Sequence, residues 1–317
     1  MTNKKIKIVF AGTPEFSVPT LSALYEEGYQ ISLVLTQPDR KSGRGMNLKS
    51  SPVKKKAQEL SIPIYQPNKL SDIDVFKKLK KVDADILVVA AYGLIIPSEI
   101  LDIFSKGSYN VHASLLPRWR GAAPIHRAIE TGDAKIGVTI MSVIPKLDAG
   151  EMIRRESINL SKDEDTGEMT KILSKLGADL MVNVINDVDS NKALKLTKQN
   201  ETEATYANKV EKLEAKVIWS EITSEKMIRK VNAFNPFPGV FCIFRGKVLK
   251  IWKATKENNI KINKLGVLFV NLKRSNLFIG TVDGIIEVKE IQLEGKRKMT
   301  AKEFIIANEL YDDELLS

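Results

Sequence analysis

Cysteine and histidine are nearly missing from this chain, whose 317 residues include one Cys and two His. A lone Cys242 excludes an intramolecular disulfide and a cysteine-based metal site. It lies in the apolar run Val-Phe-Cys-Ile-Phe over 240–244 and reads as a buried, inert thiol. The two histidines, His112 and His126, do not make a metal cluster, so no metal is expected. Long apolar runs are missing too, and none approaches the roughly 18 residues of a membrane helix. The first five residues lead into a strand signal without the apolar segment of a secretory leader, and the expectation is a cytoplasmic protein. The first turn, Ala11-Gly12-Thr13-Pro14, lacks the G-x-G-x-x-G spacing, and no Walker sequence occurs anywhere. Dinucleotide and P-loop chemistry are therefore excluded as sequence readings.

What the chain does have is apolar content and an uneven charge. Hydrophobic residues make up 43% of it, enough for a large core, and the length favours two domains. The net charge is +10, concentrated in residues 191–302, where 23 Lys and Arg stand against 11 Asp and Glu. Residues 1–190 are close to balanced, and the tail from 303 holds five acids and no base. A polyanionic partner for the C-terminal half follows.

Strand and helix signals alternate through residues 5–100, as a parallel sheet requires. Apolar runs at 6–10, 31–35, 86–90, 109–112 and 138–144 read as strands, with a short return at 62–65. Helical patterns fall near 18–24, 54–60, 76–81, 124–130 and 166–188. Residues 190–208 are polar and without period, which reads as a linker. Beyond it, short β-rich runs at 216–219, 239–244, 247–254, 266–272, 276–281 and 285–292, with one helix near 223–234, suggest a small antiparallel barrel. The expected architecture is α/β: a Rossmann-like, mostly parallel N-terminal domain over 1–189, a linker, and a small C-terminal OB-like β-barrel over 209–317.

One stretch stands out. Asn110 and His112 sit two residues apart at the end of an apolar strand, so strand periodicity aims both at one face. That face carries a donor for an oxyanion beside a group that can shuttle protons near neutral pH. Asp148, at the end of the next strand, is a third polar candidate. Parallel sheets place ligands at the carboxyl ends of their strands, which is where all three fall. Residues 39–56 add seven bases (Arg40, Lys41, Arg44, Lys49, Lys54, Lys55, Lys56) against Asp39 alone, with Gly43 and Gly45 flanking Arg44. Such a flexible basic loop can reach phosphates.

The whole stretch from Asn110-Val111-His112-Ala113-Ser114-Leu115-Leu116-Pro117 through Arg118-Trp119-Arg120-Gly121-Ala122-Ala123-Pro124-Ile125 resembles the signature of the folate-dependent formyltransferases. The similarity extends through Thr36-Gln37-Pro38-Asp39-Arg40, Ser51-Pro52-Val53-Lys54, Ala91-Tyr92-Gly93-Leu94-Ile95 and Gly137-Val138-Thr139-Ile140-Met141. It continues in Ala233-Phe234-Asn235-Pro236 and Lys250-Ile251-Trp252-Lys253-Ala254. The resemblance is strongest to members that formylate methionyl initiator tRNA, and it implies transfer of the formyl group of 10-formyltetrahydrofolate to the methionyl α-amine. Sister enzymes that act on an amino sugar nucleotide or a glycinamide ribotide are the alternative.

Carried over residue by residue, the resemblance assigns catalysis to Asn110, His112 and Asp148. It assigns folate binding to Ser114, Leu115, Leu116 and Pro117, with Ala91, Tyr92, Gly93 and Leu94 as another wall of the pocket. The loop of Arg40, Lys41, Arg44 and Lys49 would meet the tRNA acceptor end. The barrel would add backbone contacts from Lys247, Lys250, Lys253, Lys273, Arg274, Lys296, Arg297 and Lys298. No metal is implied, and a monomer is expected. The residue types suit the reaction: the Asn110 amide can donate to an oxyanion, worth about 3–4 kcal/mol when well placed. His112 can add a donor and return a proton. Asp148 can orient the imidazole and help remove the amine proton. There are three departures from the family pattern: Ala113 replaces a common glycine, Pro145-Lys146 precede Leu147-Asp148, and His126 stands where glutamine is frequent. The expectation for His126 is a helix-surface or supporting position.

Overall fold

The computed structural model of the chain describes residues 5–42, 47–161, 163–258, 264–271, 273, 275–310 and 314–317. They divide into two units. The first comprises Met1–Pro124, Lys135–Ile158 and Thr170–Asn208, and the second Ile125–Ala134, Asn159–Met169 and Lys209–Ser317.

In the first unit the strands are β1 (Lys7–Gly12), β2 (Gln30–Leu35), β3 (Arg40–Ser42), β4 (Asn47–Lys49), β5 (Ile64–Tyr65), β6 (Ile86–Ala90), β7 (Ser108–His112), β8 (Arg120–Gly121), β9 (Lys135–Ser142), β10 (Met152–Asn159) and β11 (Tyr206–Ala207). The helices are α1 (Val18–Glu26), α2 (Pro52–Glu59), α3 (Ile73–Lys80) and α4 (Ser98–Leu101). Seven strands form one sheet in the order β10-β9-β7-β6-β1-β2-β5. The pairs from β5 to β7 are parallel, and β9 runs antiparallel to β7. All five residues of β6 are buried, the continuous apolar run demanded of a strand covered on both faces. One core layer joins Val9, Ala11, Leu35 and Val89 to Val75 and Leu79 of α3 and Ile100 of α4. Because the chain returns from β5 to lay β6 on the other side of β1, the strand order reverses there. Ligand crevices open outside the carboxyl ends of the strands at such a point.

The long helix α6 (Thr166–Asp189) begins in the second unit and passes through the first. At Gly177 an added Cβ would meet Val111 Cγ1 at 2.5 Å, so only glycine lets α6 pack this closely under β7. Val111 thus faces α6, which leaves its neighbours Asn110 and His112 for the opposite face.

Residues 190–208, read from composition as a linker, carry structure of their own. Thr197 bridges Met152, a 3-10 turn spans Glu201–Glu203, and β11 pairs in parallel with β8. Polar side chains without period conceal this because the segment is held by its backbone: Arg120 and Ala122 donate to the carbonyls of Thr205 and Ala207.

The second unit is an antiparallel sheet of β12 (Val240–Phe244), β13 (Lys247–Glu257), β14 (Val267–Val270), β15 (Leu277–Thr281), β16 (Gly284–Leu293), β17 (Met299–Thr300) and β18 (Glu314–Leu315). Its order is β12-β13-β16-β15-β14-β18, with β17 set against β16. Register shifts beside Lys253 bend the long β13–β16 ladder, as bulges do. The curled sheet brings its edges together where Ser317 and Ile243 exchange backbone hydrogen bonds of 2.5 and 3.1 Å. This is the barrel-like class expected. Helices α5 (Pro124–Thr131), α7 (Ser224–Ala233) and α8 (Ala301–Asn308) complete the described elements. The run 216–219, expected as a strand, makes only an isolated bridge from Lys216 to Phe241. Its alternating burial at Ala215, Val217 and Trp219 is that of a strand, but no neighbour extends the ladder.

Candidate active site

Strand β7 carries Asn110 and His112 to the carboxyl end of the sheet, in register with Met141 and Thr139 of β9. His112 is almost fully buried, and its two ring nitrogens face different acceptors. Nε2 lies 2.9 Å from the Trp119 carbonyl, and Nδ1 lies 3.6 Å from Asp148 Oδ2. A ring that donates from Nε2 turns Nδ1 to the carboxylate, so Nδ1 is the nitrogen placed to gain or give a proton. Trp119 presents its carbonyl from a left-handed conformation, φ 65°. The Asn110 carboxamide, half-buried, has no hydrogen-bond partner among the described residues. It is a donor left for a ligand.

Asp148 sits on the turn between β9 and β10, also left-handed, φ 45°. The turn is closed by Ser142 N donating to the Glu151 carbonyl and Glu151 N to Ser142 Oγ, both 2.9 Å. Gly150 is indispensable there, since an added Cβ would lie 1.8 Å from the Ser142 carbonyl oxygen. The carboxylate accepts from the Gly121 amide at 2.8 Å and is only 16% exposed. Sequence reasoning placed Asn110, His112 and Asp148 at strand ends; the structure brings His112 and Asp148 into contact, with Asn110 beside them on the same face of β7.

The loop after β7 is tightly held. Ser114 Oγ donates to the Arg118 carbonyl (2.6 Å), and Thr139 Oγ1 donates to the Ser114 carbonyl (2.7 Å) and accepts from Leu116 N (3.2 Å). Arg155 Nη1 reaches the Leu116 carbonyl (3.1 Å), and the Leu116–Pro117 bond is cis. Leu116 is fully buried with Met141 and Met152, so its side chain shapes the loop from within rather than offering a ligand surface. Leu115 is half-buried beside Gly137.

At the switch point, Thr13 Oγ1 and Gln37 Nε2 both donate to the Tyr92 carbonyl, at 2.9 and 3.1 Å. Ala91 and Gly93 are exposed and left-handed, so the backbone turns its polar edge outward on either side of Tyr92. The Tyr92 ring itself is buried in the core with Leu94 packed against it, and its hydroxyl has no partner among the described residues. Burial drives that phenol pKa well above its ordinary value. The polar backbone here, together with the free carboxamide of Asn110, suits a flat heteroaromatic ligand with a carbonyl to be held.

The basic residues separate into groups. Arg40 and Lys41 lie on β3 and Lys49 on β4, two strands of one hairpin. Its foot is fixed by Asp39, which pairs with Lys54 (2.6 Å) and accepts from Gln66 (2.9 Å). Arg44 lies outside the described residues. In the second unit Lys250 and Lys298 flank the Trp252 ring, 5.3 and 3.7 Å from its centre. The Lys250 ammonium donates to the Pro238 carbonyl (2.7 Å), and burial followed by the charges of Lys212 and Lys298 holds its pKa below the usual lysine range. Trp252 Nε1 donates to Gln292, which in turn donates to the Lys296 carbonyl. Lys250 and Lys298 therefore flank one aromatic side chain, which Gln292 ties to the Lys296 carbonyl. Lys247, Lys253 and Lys273 are exposed, Arg297 is paired with Glu303 (2.7 Å), and Arg274 lies outside the described residues.

Arg118 and Arg120, two residues apart in the signature stretch, have opposite environments. Arg118 is exposed over the Trp119 ring, whereas Arg120 is completely buried and paired with Glu201. Gln199 and Glu201, which meet Arg120 from 79 and 81 residues away, were not singled out. Nothing in a polar, aperiodic segment distinguishes them. His126, on α5, is half-buried; burial and then Arg127 push its pKa below the usual imidazole value, against a hydrogen bond with the Phe237 backbone.

A family model described as formyl transferase matches residues 4–185, and one described as formyl transferase, C-terminal domain, matches 209–308. The chain is 42% identical over 305 residues to the methionyl-tRNA formyltransferase of Methylobacillus flagellatus, covering 96% of this chain and 97% of that one. The N-formyltransferase of Helicobacter canadensis in complex with folinic acid and dTDP-3-aminofucose shares the fold at TM-score 0.66, with 17% identity over 89% of this chain and 98% of that one. HypX of Aquifex aeolicus in complex with tetrahydrofolic acid aligns at TM-score 0.64 and 17% identity, over 95% of this chain. This chain spans about half of that larger protein, 47% of its length.

Proposed function

This chain belongs to the formyl transferase family, and from that premise we propose that it transfers the formyl group of 10-formyltetrahydrofolate to the α-amine of methionyl initiator tRNA. The observation that carries the reading is 42% identity to a methionyl-tRNA formyltransferase across both units, not the catalytic one alone. The folate donor supplies a formyl carbon bound to nitrogen, open to attack by an amine.

The residues of the first unit divide the work. Asn110, with no partner of its own among the described residues, donates to the formyl oxygen as charge gathers there, a contribution of about 3–4 kcal/mol for a well-placed donor. The His112–Asp148 pair takes a proton from the attacking amine and hands one to the nitrogen that leaves. Trp119 fixes Nε2 of the imidazole so that Nδ1 does this. The amine must be neutral to attack, and its ordinary pKa of about 7.7–8.0 places that step within reach of a carboxylate–imidazole pair. The exposed backbone at Ala91 and Gly93 and the loop over 114–117 bind the folate.

The basic residues Arg40, Lys41, Arg44 and Lys49 engage the acceptor end of the tRNA. Lys247, Lys250, Lys296 and Arg297 supply contacts to its backbone. Catalysis thus belongs to residues 1–189, and residues 209–317 add tRNA contacts to those of the basic residues 40–49. Salt dependence tests the substrate class. Binding of charged tRNA should weaken steeply as salt rises, because each neutralised phosphate releases counterions. Transfer to an amino sugar nucleotide with only a shallow salt dependence would instead favour the sister activity.

A further inference from the structure

The reading above asks Asp148 to hold a fixed place beside His112, yet packing does not fix its turn. A cavity of about 500 Å³ opens beside the turn, lined by Ser142, Ile144, Ala149, Glu151 and Lys198. Leu147, next in the chain, is exposed. Beyond the Ser142–Glu151 closure at its base, the backbone carbonyls of Asp148 and Gly150 are both gripped by one side chain. Gln199 Nε2 donates to the Asp148 carbonyl at 2.8 Å and to the Gly150 carbonyl at 2.7 Å. Its Oε1 accepts from Arg120 Nε at 3.0 Å and Nη2 at 2.9 Å. Arg120 is held from the other side by Glu201, 3.0 and 3.1 Å away.

We propose that Gln199 is the positioning residue of the Asp148 carboxylate, with Arg120 as its buried anchor. The role rests on the proposed reaction for what the carboxylate does, but not for how it is held. Only a carboxamide satisfies this position. It must offer two donors to the carbonyls and an acceptor to a guanidinium at once, and all four hydrogen bonds are made. Arg120 is fully buried, so its fork cannot swing to another partner without leaving a charge unpaired. The hydrogen bonds of Arg120, and then that of Lys146, hold the Glu201 pKa at about 2, so the carboxylate facing the anchor stays ionised near neutral pH. The chain from Glu201 through Arg120 and Gln199 thus ends on the backbone of a residue whose left-handed conformation needs support. The segment 190–208 is in this sense part of the catalytic apparatus.

The test uses the full chain with Gln199→Ala, Gln199→Glu and, as reference, Asp148→Asn. Gln199→Glu keeps the Arg120 contact while removing both donors to the carbonyls, so it remains informative if the alanine variant folds poorly. Each Gln199 variant should lower kcat for formyl transfer about 100-fold, the effect of a misplacement near 1 Å, with the folate KM unchanged. The pH profile of kcat should change in the same sense as in Asp148→Asn. Independently of any substrate, the Gly121 amide, which donates to Asp148, should lose protection from hydrogen exchange in both Gln199 variants. Variants that keep wild-type kcat and Gly121 protection, whatever their melting temperature, overturn the proposal. If the wild-type chain transfers nothing to methionyl-tRNA, the functional reading fails while Gly121 exchange still decides the positioning role.

Discussion

At the scale of single residues, the proposed chemistry depends on two side chains on one face of one strand and a carboxylate from a turn. His112→Ala should lower kcat by about 100- to 10,000-fold, the range for a positioned acid–base group, while folate and tRNA still bind. Steady-state kinetics with equilibrium binding of each substrate would check this, and retained turnover would refute the role. The Asn110–His112 relation was legible because a strand has period two and Val111 is apolar. The proximity of Asp148 followed from no local pattern and rested on family resemblance. Arg120 shows the limit of reading charge from sequence: Arg118 and Arg120 stand two residues apart with the same formal charge, yet Arg118 is exposed and Arg120, after the left-handed Trp119, is buried.

At the scale of elements, the parallel strands were legible because fully buried strands are continuous apolar runs, as in β6. The hidden elements were those held by contacts distant in sequence, β8 with β11, or by capping, α8 with its Thr300–Glu303 box. Gly150→Ala tests the turn that carries Asp148. With backbone only 1.8 Å from the new Cβ, the turn must shift, and both kcat and the melting temperature should fall. Helix α5 makes a pH prediction. Its His126 has a pKa lowered by burial and by Arg127, so the unfolded chain takes up a proton that the folded chain resists. Stability from this source is present above the unfolded imidazole pKa and is lost as pH falls below it. Between about pH 7.5 and 5.5, bracketing the ordinary value near 6.5, urea midpoints should therefore fall less for His126→Gln than for the wild type. Equal slopes would contradict the assignment.

At the scale of the whole molecule, the basic excess of residues 191–302 falls mainly in the stretch that the C-terminal family model matches, and the five acids of the tail from 303 offset part of it. The composition made a polyanionic partner legible. It did not reveal that Lys250 and Lys298 meet over Trp252, since that requires β13 and the end of β16 to be neighbours. Lys247→Ala combined with Lys296→Ala should weaken tRNA binding alike for all sequences. It should also reduce the slope of log affinity against log salt by about 0.7–0.9 for each phosphate that is no longer neutralised. An unchanged slope would remove these two lysines from the interface. Among the described residues no helix is long and apolar enough to cross a membrane, and no group of His, Cys, Asp and Glu could hold a metal. The central claim is most directly tested by incubating the purified chain with 10-formyltetrahydrofolate and charged initiator or elongator methionine tRNA. The account predicts formylmethionyl product on the initiator; absence of product on both, with folate bound and an amino sugar nucleotide formylated, would contradict it.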